Sequence, residues 1–181
     1  LVKLARDCSE APDLQIAIAS SAKGHSVKIL KGILNQSINN SFSKLINNLL
    51  VLASDEATEK ELKQLLKKII SDTEQIASWQ VIAISDLIEN SKEIDISKLD
   101  LGIDEQFINS LEAITNNIDL KVENRAAALR LMINLINKPK ILNAILQKQL
   151  NPYSPNQLFD FAITKLSNTS PSIDALLVHW K

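Results

Sequence analysis

Apolar residues recur three and four positions apart along almost the whole chain, the spacing that places them on one face of a helix. Leu45, Ile46, Leu49, Leu50 and Ala53 form one stripe, and Leu62, Leu65, Leu66, Ile69 and Ile70 the next. Ile76, Trp79, Ala83 and Leu87 follow, then Phe107, Ile108, Leu111, Ile114 and Ile118. Further stripes are Ala128, Leu129, Met132, Leu135, Ile136, and then Ile141, Leu142, Ile145, Leu146. The last two are Leu158, Phe161, Ala162, Leu166 and Ile173, Leu176, Leu177, Trp180. Val81-Ile82-Ala83-Ile84 has strand propensity, but it sits inside the longer periodic segment Glu74 to Asn90 and is predicted to be helical.

Local punctuation agrees with this reading. Pro12, Pro139, Pro155 and Pro171 stand where first helical turns should begin, a position at which the missing N–H of proline costs nothing. Ser154-Pro155 and Ser170-Pro171 read as an N-cap followed by the first helical residue. Thr58 with Glu61, and Ser71 with Glu74, have the spacing of a capping box. Glu56 with Lys60, and Glu59 with Lys63, are acid-before-base pairs four apart, marking a wet helix face.

The pattern predicts about eleven helices joined mostly by short connections, which make neighbours antiparallel. Predicted hairpins are 12–23 with 25–35, 38–53 with 58–71, 74–90 with 104–118, 123–136 with 139–150, and 155–167 with 170–180. Leu1 to Cys8 reads as the tail of another helix, and the long connection 91–103 as an extended segment laid over the helices. Residues 124–146 align with 156–177, pairing Arg125 with Gln157 and Leu129 with Phe161, although spacing elsewhere is irregular. Each hairpin has apolar residues on more than one side, as a unit stacked between neighbours requires. The expected fold is all-α: an α-α superhelix of about five degenerate HEAT-like hairpins, forming a single helical repeat domain over 1–181. A closed bundle is the alternative.

Composition narrows the chemistry. The chain has 27 Leu and 24 Ile but seven aromatic residues and three glycines, too few and too scattered for a phosphate-cradling or dinucleotide loop. One cysteine, Cys8, excludes an internal disulfide. A net charge of −1 supplies no field to attract nucleic acid or an anionic membrane. The longest apolar run, Leu49 to Ala53, is far below the roughly 20 residues of a membrane span. Residue 1 is leucine, with no basic leader before an apolar stretch, so the chain is expected to be a piece of a longer or processed polypeptide.

The remaining candidates favour structural roles. His25 follows Gly24 at a predicted turn and His179 stands beside Trp180; neither has a second ligand at helical spacing. Cys8, in apolar company, reads as an inert thiol. Lys60, Lys63, Lys67 and Lys68 form a basic strip interrupted by glutamates, read as a solvated face. Asp72, Glu74, Glu93, Asp95, Asp100, Asp104 and Glu105 suit helix starts, where carboxylates are favoured. Trp79 and Trp180 read as core or repeat-interface residues. Arg125 opens a helix, where a cation is mildly disfavoured, and should therefore have a structural partner such as Asp119. No catalytic, cofactor-binding or metal-ligating set is assigned.

The order of segments adds a family likeness. Leu4-Ala5-Arg6-Asp7 leads to Leu14-Gln15-Ile16-Ala17-Ile18-Ala19, then to Ile29-Leu30 and Ile33-Leu34. Gln80-Val81-Ile82-Ala83-Ile84 precedes the long connection. Glu123-Asn124-Arg125-Ala126-Ala127-Ala128-Leu129-Arg130-Leu131 leads to Leu150-Asn151-Pro152-Tyr153-Ser154-Pro155-Asn156-Gln157, and Ile173-Asp174-Ala175-Leu176-Leu177 runs to Trp180. Over nearly its whole length the chain resembles the HEAT-like helical region of large exported bacterial proteins. In those proteins the region lies between a propeller-type dehydrogenase domain and a cytochrome c domain. The haem-attaching Cys-x-x-Cys-His of the neighbouring domain is absent here. The resemblance implies a non-catalytic scaffold or spacer, periplasmic or exported, whose partners are neighbouring domains of the same polypeptide. The alternative is a free-standing adaptor holding a peptide or protein on a concave face. Binding is expected on the surface lined by the second helices of the hairpins.

Overall fold

A computed structural model describes residues 2–7, 11–35, 42–71, 76–90, 101–136 and 138–169. Cys8, His179, Trp180, the predicted helix 170–180, the acidic residues Asp72, Glu74, Glu93, Asp95 and Asp100, and most of the long connection lie outside the described residues. So does the Glu74 half of the second capping box.

The fold is all-α. Ten helices and no strand occur among the described residues: α1 (Val2–Asp7), α2 (Pro12–Ser20), α3 (Ser26–Leu34), α4 (Ser43–Glu56), α5 (Glu59–Ser71), α6 (Ser78–Asn90), α7 (Glu105–Asn116), α8 (Val122–Leu135), α9 (Pro139–Lys148) and α10 (Asn156–Thr169). Val81 to Ile84 lies within α6, where the long periodic segment overrides local β propensity.

The chain divides into two compact units, residues 1–107 and 108–181, with the boundary in the first turn of α7. In the first unit alternate helices lie side by side, α1 beside α3 and α3 beside α5, α2 beside α4 and α4 beside α6. Two rows of helices result, joined chiefly where α3 packs on α4. A helix in such a stack has neighbours on several sides, and its sequence must be apolar on each. Helix α4 shows this: Leu45, Ile46, Leu49, Leu50 and Ala53 are completely buried against α2, α3 and α6. Burying each large aliphatic side chain contributes roughly 1.5–3 kcal/mol. Helix α6 buries Val81, Ala83, Ile84, Ser85 and Leu87, a face too broad for a surface helix. Helix α5 instead has one dry stripe, Leu62, Leu65, Leu66 and Ile69, with Lys60 and Lys67 exposed to solvent.

Two glycines of the first unit carry geometric demands. Gly24 has φ +78° in the turn between α2 and α3, a conformation other residues adopt at a cost. Gly32 lets α1 approach α3; a Cβ there would stand 2.6 Å from Val2 Cγ2.

In the second unit α10 packs on both α8 and α9. The core is Leu111, Ala127, Ala128, Leu129, Leu131, Met132, Ile145, Leu146, Leu150, Leu158, Ala162 and Leu166. Lys148 on α9 reaches Glu112 on α7 at 2.5 Å, and Gln149 donates to Asn116 at 3.2 Å, so the C-terminal ends of these helices are tied together.

Helix starts follow the sequence punctuation with two exceptions. Pro12 and Pro139 begin α2 and α9. The Thr58–Glu61 capping box is complete: Glu61 N–H donates to Thr58 Oγ1 at 3.3 Å, while the Thr58 N–H and hydroxyl donate to Glu61 Oε2 at 3.1 and 2.9 Å. The Thr58 N–H first, then its hydroxyl and Lys31, hold the Glu61 carboxyl below its usual range. At α10, however, Pro155 is the residue before the helix, its carbonyl accepting from Leu158 and Phe159 at 3.0 and 3.1 Å. Ser154 does not cap this helix with its hydroxyl; that oxygen accepts from Asn151 Nδ2 at 2.8 Å within the preceding turn. The second exception is Glu56. It ends α4 rather than opening α5, so Lys60 is not its helical neighbour one turn on.

Candidate functional site

Polar groups at helix ends, some exposed and some buried, are used for fastening. Glu56 reaches from the end of α4 to the turn before α3. Its carboxylate accepts the Gly24 N–H at 2.6 Å, the Ser26 N–H at 3.1 Å and the Ser26 hydroxyl. The donors are orphan amides at the start of α3, which has no side-chain cap of its own from His25, the residue before it. The Ser26 hydroxyl, followed by the Gly24 and Ser26 amides and the nearby His25, holds the Glu56 carboxyl below the usual range, against the opposing effect of desolvation.

A carboxylate whose pKa is lowered by folding contributes stability above its unfolded pKa and loses it as pH falls through the folded value. Glu56→Gln is therefore expected to cost about 1 kcal/mol at pH 7, as loss of a helix cap does. The deficit should shrink below the ordinary carboxylate range of about 4–4.5, where wild-type Glu56 is itself being protonated. Urea midpoints of both proteins at pH 7 and pH 3 measure this. A deficit that is the same at both values would show that the charge on Glu56 is not what holds α3.

Gln80, in the first turn of α6, is completely buried. Its Oε1 accepts the Ala77 N–H at 2.5 Å and its Nε2 donates to the carbonyl of Ile69, near the end of α5. Arg125 repeats the device one joint later. It is buried in the first turn of α8, and its Nε donates to the Thr115 carbonyl at 2.8 Å, near the end of α7. The expected partner, Asp119, is exposed in the loop and donates its own N–H to Asn117 Oδ1 at 2.9 Å. A helix C-terminus explains the choice, because its last carbonyls lack intrahelical donors and carry the negative end of the dipole. Gln15, in the first turn of α2, is buried likewise.

The other sequence candidates are dispersed. His25 is exposed in the turn between α2 and α3. Lys68 donates to Asn35 Oδ1, and Lys31 stands 3.7 Å from Glu61, so cations of α3 and α5 serve local links. Asp104 accepts the Phe107 N–H at 2.8 Å, the helix-start role expected of the acidic residues. Trp79 is half-buried on α6. Among the described residues no three His, Cys, Asp or Glu side chains gather as a metal site, and no helix is long and apolar enough to cross a membrane.

One concave feature stands apart from these ties. A groove of about 490 Å³ runs between α8 and α10 in the second unit. Glu123, Ala126 and Arg130 form one wall, spaced three and four apart on a single helix face. Gln157, Asp160, Phe161 and Thr164 form the other. Its volume falls within the roughly 300–1,000 Å³ of ligand clefts. The groove lies between the first helices of two predicted hairpins, whereas the sequence pattern pointed to the second helices. The aligned positions Arg125 and Gln157 have diverged, the former buried as a tie and the latter exposed on the groove.

Compared with protein-family models, curated proteins and solved structures, the chain matches none. The groove and the ties therefore stand on their own geometry.

Proposed function

We propose that this chain is a non-catalytic helical repeat domain, a scaffold that spaces or docks other protein domains. The observation that carries this reading is the use made of polar groups at helix ends. Gln80 and Arg125 are spent on carbonyls of the preceding helix, and Glu56 is spent on the start of α3. Catalytic groups instead converge on a cleft and leave a reacting position open between them. Helices fastened to one another in this way keep each unit's surfaces in a set arrangement, which is what a scaffold requires.

The family resemblance supplies the finer version: a HEAT-like segment linking a propeller-type dehydrogenase domain to a cytochrome c domain in one long exported chain. An immunoblot of the source cells with an antibody to this domain tests it, with haem staining of the same band. A band several times larger than a 181-residue chain, positive for haem, is expected. A band of the 181-residue size without haem would overturn the linker version and leave a free-standing adaptor. The groove between α8 and α10 is the observation that favours the adaptor as the second reading.

A further inference from the structure

We propose that two copies of this chain pair about a two-fold axis, each setting Tyr153 into the groove between α8 and α10 of the other. The inference goes beyond the scaffold reading and does not depend on it. Tyr153, 95% exposed, and Ile118, 82% exposed, are the most accessible large apolar side chains among the described residues. Both stand on turns that the chain holds stiff. Asn151 Oδ1 accepts the Tyr153 N–H at 2.9 Å, and Asn151 Nδ2 donates to the Lys148 carbonyl at 3.0 Å and to Ser154 Oγ at 2.8 Å. Pro152 and Pro155 restrict the same turn further. In the other turn Asn117 Oδ1 accepts the Asp119 N–H at 2.9 Å. An apolar group fixed in advance loses little freedom on docking, and tyrosine is among the residues that dominate binding energy at interfaces.

The two turns stand side by side, because Gln149 at the start of one donates to Asn116 at the start of the other. Each leads directly into one wall of the groove. Ile118 precedes Glu123 on α8 by five residues, and Tyr153 precedes Gln157 on α10 by four. Both projections therefore stand at the end of the groove where its two helices begin. Projection and hollow belong to one patch, and such a patch is self-complementary: a two-fold rotation lays each copy's projections over the other's hollow. The hollow, about 490 Å³, offers Ala126 and Phe161 to a tyrosine ring, and Gln157 and Thr164 to its hydroxyl. Charge does not oppose the pairing. Glu123 and Asp160 are balanced by Arg130 and by Lys165, whose Nζ stands 5.8 Å from the centre of the Phe161 ring. A patch of one sign would repel its own image, whereas a balanced one does not.

Sedimentation equilibrium of the 181-residue chain is the test. Twice the chain mass is expected, with dissociation on dilution. Tyr153→Ser should weaken pairing at least tenfold, and so should Thr164→Arg, whose longer side chain occupies the groove. Both positions are exposed, so the melting temperature of the diluted, monomeric chain should not move. A mixture of the two variants separates this pairing from any other. The Thr164→Arg chain keeps its Tyr153, and the Tyr153→Ser chain keeps its groove. Mixing restores one of the two insertions, so the mixture should pair more tightly than either variant alone. A chain that stays monomeric at millimolar concentration would overturn the proposal and leave the patch to a different protein. A dimer that Tyr153→Ser leaves intact, or a mixture no tighter than its components, would overturn it too. None of these outcomes bears on the immunoblot, and a failed immunoblot leaves the pairing intact.

Discussion

Leu49→Ala is expected to destabilise the first unit by about 3–5 kcal/mol, the upper part of the range for a buried leucine truncated to alanine. The cost of such a change depends on how far the surroundings collapse into the space left. Leu49 is completely buried on α4, and α4 is walled by α2, α3 and α6. Those walls are themselves fastened, α3 by Glu56 and α6 by Gln80 and by the 2.6 Å bond from Asn47 on α4 to Asp86. Collapse is therefore restricted and a cavity should persist. Denaturant unfolding followed by circular dichroism measures the loss. Leu14→Ala on α2 is the control, because Leu14 is 39% exposed and should cost well under 1 kcal/mol. If Leu49→Ala cost no more than Leu14→Ala, α4 would not be the centre of this unit.

Gln80→Met should cost about 2–4 kcal/mol, although methionine nearly matches glutamine in length and shape. The reason is the two backbone groups left behind. Gln80 serves the Ala77 N–H ahead of α6 and the Ile69 carbonyl near the end of α5. A buried group left without its hydrogen bond costs on the order of 1–3 kcal/mol, and here two lose theirs together. Hydrogen exchange gives a second readout. The Ala77 amide should lose protection in the variant, and amides in the second unit should keep theirs. A variant as stable as wild type would mean that water or a neighbouring side chain replaces the amide, and that the tie does not hold α5 to α6.

Both residues bear on what the sequence made legible. Leu49 belongs to a stripe whose period alone assigned it to a buried helix face, and all five members of that stripe are completely buried. The dry stripe of α5, the proline starts of α2 and α9 and the Thr58–Glu61 box followed from local rules in the same way. Gln80 was visible only as a polar residue set among Trp79, Val81, Ile82 and Ala83, with no role attached. A lone glutamine in an apolar first turn is the available signal, and Gln15 and Arg125 share the position. Glu56 was assigned to a partner four residues on, because the sequence does not reveal that α4 ends at that residue and turns its carboxylate toward α3.

What the sequence determined by itself is therefore helix content, approximate helix limits and the apolar faces. These depend on interactions within a few residues, whose spacing is written directly in the chain. The tertiary structure alone decided which helix packs on which, the choice of Thr115 over Asp119 by Arg125, and the pairing of Glu123 with Asp160 across a groove. Each joins groups from different helices, and periodicity says that a helix has a face without saying what covers it. The division into two units within α7 belongs with them, since no proline, glycine or change of period marks it. Local order follows from neighbours in the chain, whereas the ties and the groove follow from neighbours in space.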